Sequence, residues 1–215
     1  MNAGIRISEI FYSLQGEART VGRPTVFVRL TGCPLRCGYC DTAYAFTGGV
    51  IYKQEEVLRE VASYTPTFVT VTGGEPLAQK ACLPLLTSLC DAGYEVSLET
   101  SGALDISQVD KRVSRVMDLK TPGSGEVEQN LFSNIEHLLP HDQVKFVICD
   151  EQDYQWAKTQ LEKYQLADKV SDVLFSPSHA SLAPALLAEW ILKDRLMVRM
   201  QIQLHKYLWA DAQGR

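Results

Sequence analysis

The stretch TVFVRLTGCPLRCGYCDT, residues 25–42, decides the fold class and points to the functional site. Its first six residues are mostly apolar and β-branched, as is typical of a strand that is buried on both faces. Three cysteines, Cys33, Cys37 and Cys40, follow this strand in the pattern C-x3-C-x2-C. Parallel α/β proteins place their active sites at the carboxyl ends of strands, so we expect the chemistry directly after this strand.

Similar apolar runs recur along the chain, and helical patterns separate most of them. The runs lie at 67–72, 95–100, 115–120, 144–149, 172–176 and 197–204. One helical pattern covers 131–139, and another covers 181–192, with Ser181 as a candidate cap and Pro184 in the first turn. Alternating strands and helices predict a single α/β domain over residues 1–215. Six or seven parallel strands suit an open sheet or an incomplete βα barrel.

The composition excludes several classes of protein. The chain has 215 residues, 46% of them hydrophobic and 22% charged, which excludes disordered, collagen-like and coiled-coil proteins. It contains no apolar run of about 18 residues, and its amino terminus lacks the pattern of a signal peptide. We therefore expect a cytoplasmic protein without a membrane span. The formal net charge of −5 predicts no dominant nucleic-acid-binding surface.

The three clustered cysteines predict a metal or redox site. Thiolates on one tight loop can hold three irons of a [4Fe–4S] cluster and leave the fourth iron open. The alternatives are a zinc site completed by His205 or another histidine, a redox pair at Cys37 and Cys40, and buried cysteines without a function. Zinc loops usually pair C-x-x-C with a second distant pair, which is absent, and a redox pair would leave Cys33 without a role.

A second motif sharpens this interpretation. Tyr39 precedes the last cysteine, and Gly73-Gly74-Glu75-Pro76 follows the second apolar run. Together with the cysteines, these residues resemble the radical S-adenosylmethionine (SAM) superfamily. The resemblance implies an incomplete, TIM-like βα barrel of about six parallel strands. It also implies that the three cysteines hold a [4Fe–4S] cluster, that Tyr39 lies near the adenine of SAM, and that the Gly-Gly-Glu segment binds its methionine moiety.

The flanking segments narrow the resemblance further. Residues 10–17, 22–30, 99–102 and 203–208, with Cys40-Asp41-Thr42, are similar to the 7-carboxy-7-deazaguanine synthase (QueE) family. The similarity runs from about residue 5 to residue 208. It implies a carbon–nitrogen lyase of queuosine and 7-deazapurine biosynthesis, a tRNA-modification pathway. Its substrate would be 6-carboxy-5,6,7,8-tetrahydropterin, whose ring contracts by a radical mechanism with loss of ammonia, assisted by Mg²⁺.

The resemblance assigns roles to individual residues. The cluster loop, residues 31–42, would provide Cys33, Cys37 and Cys40 as cluster ligands and Thr42 as a Mg²⁺ ligand. The substrate site would use Leu14, Gln15, Gly16, Glu17, Arg29, Thr72 and, in the C-terminal segment 201–215, His205. The SAM site would use Tyr39, Cys40, Asp41, Gly74, Glu75, Ser101, Asp118, Lys120 and Ser176, with Lys145 as the alternative to Lys120.

Some of these assignments have an ordinary alternative when the residues are taken alone. Arg29 could be a surface charge, Ser101 and Ser176 could cap helices, and His205 could be a solvated histidine. At 118–120 and 176–177 the sequence also departs from the commoner Ser-Pro-Lys and Gln-Pro of the family.

The resemblance also implies partners, namely a flavodoxin-type or similar electron donor and a second copy of the chain in a homodimer. Two other functions remain open at this point. A glycyl-radical activase of the same superfamily shares both motifs but acts on a protein. A zinc-stabilised binding module would use the cysteines for structure alone.

Overall fold

The computed structural model describes residues 4–179, 181–210 and 212–214. Position 180, the first three residues, and positions 211 and 215 of the predicted C-terminal segment lie outside the described residues. Within the described part of the chain, nine strands form one sheet. Their bounds are β1 Ile5–Leu14, β2 Pro24–Leu30, β3 Val50–Tyr52, β4 Phe68–Gly73, β5 Glu95–Thr100, β6 Ser114–Asp118, β7 Gln143–Ile148, β8 Asp172–Pro177 and β9 Arg199–Met200.

Helices connect most of the strands from β3 onward, and one more helix follows β9. Their bounds are α1 Gln54–Ser63, α2 Cys82–Asp91, α3 Glu151–Lys163, α4 Leu166–Lys169, α5 Pro184–Asp194 and α6 Leu204–Trp209. Short 3-10 turns complete several of the connections. Within the described residues, no helix is both long and apolar enough to cross a bilayer.

The order of the strands is β3-β1-β2-β4-β5-β6-β7-β8-β9. From β2 to β9 every neighbouring pair is parallel, and β9 contributes only two residues. Strands β1 and β3 add an antiparallel edge at the β2 side. Six full-length parallel strands that do not close on themselves form an incomplete βα barrel, which confirms the predicted fold class.

The core lies between the sheet and its helices. The longer helices turn an apolar stripe to the sheet, and the strand face they cover is apolar. The other face is partly polar, since Thr70, Ser97, Glu99 and Lys145 alternate with buried apolar residues along β4, β5 and β7. The expectation of strands that are apolar on both faces is therefore wrong for this inner face. The largest fully buried side chains are Tyr154, Phe146, Phe175, Ile5, Ile7, Leu30, Leu85, Leu86, Leu89, Leu98, Ile106 and Met117. This core holds the carboxyl ends of the strands in fixed relative positions, and those ends form the site.

Three details of the predicted elements are wrong. Residues 131–139 form no α-helix, since only a 3-10 turn, Phe132–His137, is present. The side chain of Asn134 there binds the backbone of the loop after β5, which replaces a regular helical ladder. The run 197–204 forms only the two-residue β9, because the chain then turns towards residue 18. Ser181 does not cap α5, which begins at Pro184 without a side-chain cap.

Candidate functional site

A cavity of about 980 Å³ opens at the carboxyl ends of the parallel strands. It lies between the loop after β1, the cluster loop after β2, the strand ends from β4 to β8 and the C-terminal segment. All predicted site residues except Glu75 line it. The cavity is large enough for a cofactor and a small substrate side by side.

Cys33, Cys37 and Cys40 line one end of this cavity with unpaired, partly exposed thiols. Burial raises the pKa of the Cys33 and Cys37 thiols, and the Lys120 ammonium acts in the opposite direction. Among the described residues no group of three or more His, Cys, Asp or Glu surrounds a common point, as one zinc ion would require. Three thiolates that each bind a different iron of a cluster need no such point. The donor set therefore fits a [4Fe–4S] cluster.

The end of β4 supports the cluster loop from below. Gly74 lies so close to this loop that a Cβ atom would be 2.3 Å from the carbonyl oxygen of Gly32 and 2.7 Å from Cβ of Cys33. The backbone N–H of Glu75 also donates to the carbonyl of Gly32, at 2.8 Å. Glycine is required here because of this close approach.

Glu75 lies beneath the cavity instead of lining it. Its side chain is fully buried and accepts hydrogen bonds from the hydroxyls of Thr100 and Ser101 and from the backbone N–H of Ser101 and Leu77. These bonds join the ends of β4 and β5. Glu75 thus holds Ser101 at the cavity wall, and its carboxylate is already occupied by protein donors.

The two candidate lysines lie on different sides of Asp118. Lys120 Nζ is 2.9 Å from Asp118 Oδ2 and 5.7 Å from the centre of the Tyr39 ring, so it faces the cluster loop. Lys145 Nζ is 3.7 Å from the same carboxylate oxygen but 2.9 Å from Glu17 Oε2. Burial would lower the pKa of Lys120, but Asp118 and Cys37 raise it above its ordinary value. The Lys120 ammonium therefore faces the cluster loop, whereas the Lys145 ammonium faces Glu17.

The opposite end of the cavity contains the predicted substrate residues. Gln15 Nε2 lies 3.1 Å from Thr70 Oγ1 and 3.3 Å from Glu99 Oε1, and the Thr72 hydroxyl lies 3.3 Å from Glu99 Oε2. Burial raises the pKa of Glu99, with the Glu17 carboxylate acting in the same direction. Glu99 was not singled out as a site residue in the sequence, although its position at the end of β5, two residues before Ser101, was a usable signal.

Arg29 lies at the carboxyl end of β2, near the centre of the cavity wall. Its Nε is 2.7 Å from Glu9 Oε1, and its guanidinium lies 5.8 Å from the ring of Phe11 and 5.9 Å from that of Tyr44. The Tyr44 hydroxyl donates to the same oxygen of Glu9 at 2.7 Å. Glu9 and the two rings hold the guanidinium in one orientation, as carboxylate recognition requires.

Glu17 binds three donors from the surrounding elements. Its carboxylate accepts from Lys145 at 2.9 Å, from Gln203 at 2.9 Å and from Gln201 at 3.2 Å. Burial would raise the pKa of Glu17, but the Lys145 ammonium and the hydrogen bonds hold it below the ordinary value. The predicted substrate residue is therefore engaged with the protein, and its partners Gln201 and Gln203 were not singled out in the sequence.

The C-terminal helix α6 brings His205 to the substrate end. The backbone N–H of Leu204 donates to the carbonyl of Gly16 at 3.0 Å, and a Cβ atom on Gly16 would lie 2.3 Å from Nδ1 of His205. Burial lowers the pKa of His205, which favours the neutral imidazole. Leu14 and Thr42 also line the cavity.

Comparison with known proteins identifies relatives over almost the whole chain. Residues 27–121 match the model of the radical SAM superfamily. The 7-carboxy-7-deazaguanine synthase of Chlorobaculum tepidum is 45% identical and covers 99% of this chain and 98% of its own length. The 7-carboxy-7-deazaguanine synthase of Koribacter versatilis is 41% identical, and the match covers 96% of this chain and 97% of that protein.

Solved structures agree on the fold. The crystal structure of QueE from Escherichia coli superimposes with a TM-score of 0.77 at 24% identity, covering 94% of this chain and 95% of that one. The structure of Streptococcus suis SuiB bound to the precursor peptide SuiA has a TM-score of 0.60 and covers 80% of this chain but only 46% of its own.

Proposed function

The chain belongs to the 7-carboxy-7-deazaguanine synthase family of radical SAM enzymes, and on this premise we propose its substrate and the roles of its residues. It is a lyase that uses a [4Fe–4S] cluster and SAM. The substrate we propose is 6-carboxy-5,6,7,8-tetrahydropterin, converted to 7-carboxy-7-deazaguanine with loss of ammonia and with Mg²⁺ as activator. Relatives named as synthases match nearly the full chain, which favours this function over the activase and the zinc module.

One observation supports the proposal most directly. A single cavity is lined both by three thiols and by a set of donors and acceptors suited to a carboxylated pterin. When bound, the cluster held by Cys33, Cys37 and Cys40 would supply, together with SAM, the radical chemistry that starts the reaction. The chain's own residues must then hold both partners at fixed separation and exclude water from the reacting centre.

We assign the cofactor end to the strand ends β4, β5, β6 and β8. Cys33, Cys37 and Cys40 would hold the cluster. SAM would bind beside the cluster, through Tyr39, Cys40, Asp41, Gly74, Ser101, Asp118, Lys120 and Ser176. Glu75 would support these residues from behind the cavity wall, which it does not itself line. Lys120 contributes a positive charge near the methionine carboxylate, since it is the buried ammonium on this side.

At the substrate end, Gln15 and Glu99 present an amide and a carboxylate to the amino-pyrimidine edge of the pterin. This edge carries adjacent N–H groups, which a carboxylate accepts as a pair. Leu14, the backbone of Gly16 and Thr72 complete the walls around the ring. Glu17 acts through the residues that it holds, namely Lys145, Gln201 and Gln203.

The substrate carboxylate lies between Arg29 and His205 in this proposal. A guanidinium fixed by Glu9 and two rings offers its remaining N–H groups as a fork. Thr42 supplies one oxygen to Mg²⁺, and the substrate and water supply the others, because Mg²⁺ prefers oxygen ligands and keeps several waters.

We further propose that residues 1–215 act as one domain, in the cytoplasm, as a homodimer reduced by a flavodoxin-type or similar donor. We expect the cavity to admit a small molecule and no nucleic acid.

The function is tested by anaerobic reconstitution with iron and sulfide, followed by incubation with SAM, a reductant, Mg²⁺ and the pterin. We expect the deazaguanine product by mass spectrometry, and Cys37→Ala should abolish its formation together with the cluster absorbance. SAM cleavage without this product would refute the substrate. Absence of both signals from a protein that contains a full cluster would refute the enzyme function.

Arg29→Ala provides a sharper test of the substrate assignment. Losing a charged hydrogen-bonding group costs about 1.5–3 kcal/mol, so the KM for the pterin should rise roughly ten- to a hundred-fold while the cluster content stays unchanged. The matched control is Arg19→Ala, because Arg19 is exposed and does not line the cavity. An unchanged KM in Arg29→Ala would rule out the proposed carboxylate site.

A further inference from the structure

The side-chain amide of Gln203 joins two carboxylates that come from different loops. Its Nε2 lies 2.9 Å from Glu17 Oε1, in the loop after β1, and 3.2 Å from Asp41 Oδ2, in the cluster loop. A primary amide has two N–H groups and can donate one to each carboxylate. Gln203 is also the residue that precedes α6, so it ties the start of this helix to both loops.

The contact with Asp41 leads directly to Thr42. The Thr42 hydroxyl lies 2.9 Å from Asp41 Oδ1, the oxygen that Gln203 does not contact. A hydroxyl that donates its single hydrogen to a carboxylate keeps both lone pairs for a cation. Asp41 thus orients Thr42 as an oxygen ligand, and Gln203 holds Asp41 in the position where it can do so.

The Glu17 carboxylate, which accepts the other hydrogen bond of Gln203, is also held in place by neighbouring side chains. Lys145 and Gln201 bind the other oxygen of Glu17, whose side chain is 13% exposed, so this carboxylate is a fixed anchor. Backbone bonding between Leu204 and Gly16 fixes α6 on the same loop. His205, one residue further along α6, is therefore held by the same contacts as Gln203.

We propose that Gln203 is a positioning residue that couples the oxygen ligand Thr42 to His205, so that the Mg²⁺ site and the site for the substrate carboxylate assemble as one unit. This rests on the proposed function, in which Thr42 binds Mg²⁺ and His205 contacts the carboxylate. In this proposal Gln203 acts through the two carboxylates that it joins. Substitution should therefore weaken metal binding without removing the cluster.

The test uses Gln203→Met, which keeps the length of the side chain and removes both N–H donors. Mn²⁺, a hard cation that takes the place of Mg²⁺, is titrated into reconstituted enzyme with SAM and pterin and followed by electron paramagnetic resonance. Groups that orient metal ligands are typically worth ten- to a hundred-fold in metal affinity. We expect the Kd for Mn²⁺ and the Mg²⁺ concentration for half-maximal turnover to rise on the order of ten-fold, with unchanged iron content.

Two further variants separate positioning from folding. Gln203→Asn keeps both N–H donors but shortens the side chain by one methylene, so it cannot span Glu17 and Asp41 and the Mn²⁺ Kd should again rise. Gln152→Met is the matched control, because Gln152 is exposed on α3 and lies away from the cavity. It should bind Mn²⁺ like the wild type.

The outcomes distinguish the inference from the function. Wild-type affinity for Mn²⁺ in Gln203→Met, or a loss of iron content in proportion to the loss of metal binding, would overturn the coupling while wild-type turnover stands. A wild-type protein that forms no deazaguanine would contradict the proposed function, and the coupling with it.

Discussion

Glu99 is a partly buried carboxylate on the wall of the cavity. Its pKa is raised by burial and by the neighbouring Glu17, while Lys145 and Arg29 act in the opposite direction. For an acid whose pKa is higher in the folded state, folding is most favourable below the unfolded pKa. That stability is lost as the pH rises through the folded pKa. At neutral pH the ionised Glu99 therefore costs folding free energy.

Glu99→Gln removes this cost, and we expect the free energy of unfolding at pH 7 to stay equal or increase. Each pKa unit corresponds to about 1.4 kcal/mol. The difference from the wild type should shrink at pH 4. The KM for the pterin should rise, because an amide offers only one acceptor to paired N–H groups. Urea unfolding at the two pH values and steady-state kinetics measure both effects, and a variant that is less stable at pH 7 would refute the assignment of the pKa.

At this scale the sequence was informative where a motif existed and uninformative where geometry alone decides. The spacing of the cysteines predicted a cluster site, and the three thiols indeed line one cavity. No pattern could rank Lys120 against Lys145, because both belong to apolar runs, Lys145 within β7 and Lys120 two residues after β6. Only the side of Asp118 on which each ammonium lies separates them.

The pairing of β4 with the cluster loop shows how an element positions a cofactor site. The strand ends at Gly73, and Gly74 follows it directly beneath the loop. Backbone atoms on both sides make the contact, so neither side can move by a change of rotamer. The glycine is needed for space, since no left-handed conformation is involved there.

Gly74→Ala should displace the cluster loop. The added Cβ would lie 2.3 Å from the carbonyl oxygen of Gly32, and overpacking of this kind costs about 1–3 kcal/mol. We expect a lower iron content after reconstitution and a higher Kd for SAM, with far-ultraviolet circular dichroism unchanged. Iron analysis and absorbance at visible wavelengths provide the measurement. Wild-type iron content and a wild-type Kd for SAM would contradict this prediction, because the cluster loop would then accommodate the added methyl group.

The elements that the sequence predicted poorly are those whose side chains bond to distant backbone groups. Residues 131–139 have helical spacing of apolar groups, but the side chain of Asn134 is hydrogen-bonded to the backbone of Gly102, Leu104 and Ile106. Strand β9 is short, and the side chain of Gln201, directly after it, accepts a hydrogen bond from the backbone N–H of Ala18. Such contacts join residues far apart in sequence, so local periodicity does not contain them.

In the whole molecule the two ends of the sheet have different roles. The carboxyl ends hold the cavity, and the amino ends of β6 and β7 hold a buried ion pair, in which Arg115 contacts Asp142 at 2.5 Å. The Asp142 carboxylate also accepts from the backbone N–H of Arg115 at 2.8 Å and of Leu139 at 2.7 Å. In βα barrels polar residues at the amino face serve stability.

This division predicts that substitutions at the two ends have separable effects. Asp142→Ala leaves the buried Arg115 guanidinium without its counter-charge and two backbone N–H groups without an acceptor. Breaking a buried pair in this way costs about 3–5 kcal/mol. Arg115→Met should cost less, because Asp142 keeps both backbone donors. Thermal unfolding of the two variants should therefore rank Asp142→Ala well below Arg115→Met, and both below the wild type.

Turnover provides the second half of this prediction. Neither Arg115 nor Asp142 lines the cavity, so the KM for the pterin and for SAM should match the wild type at temperatures where each variant is folded. Equal losses of stability in the two variants would mean that the ion pair, and not the backbone contacts, supplies the stabilisation. A changed KM would show that the amino ends of the strands reach the site through the sheet, against the division of work proposed here.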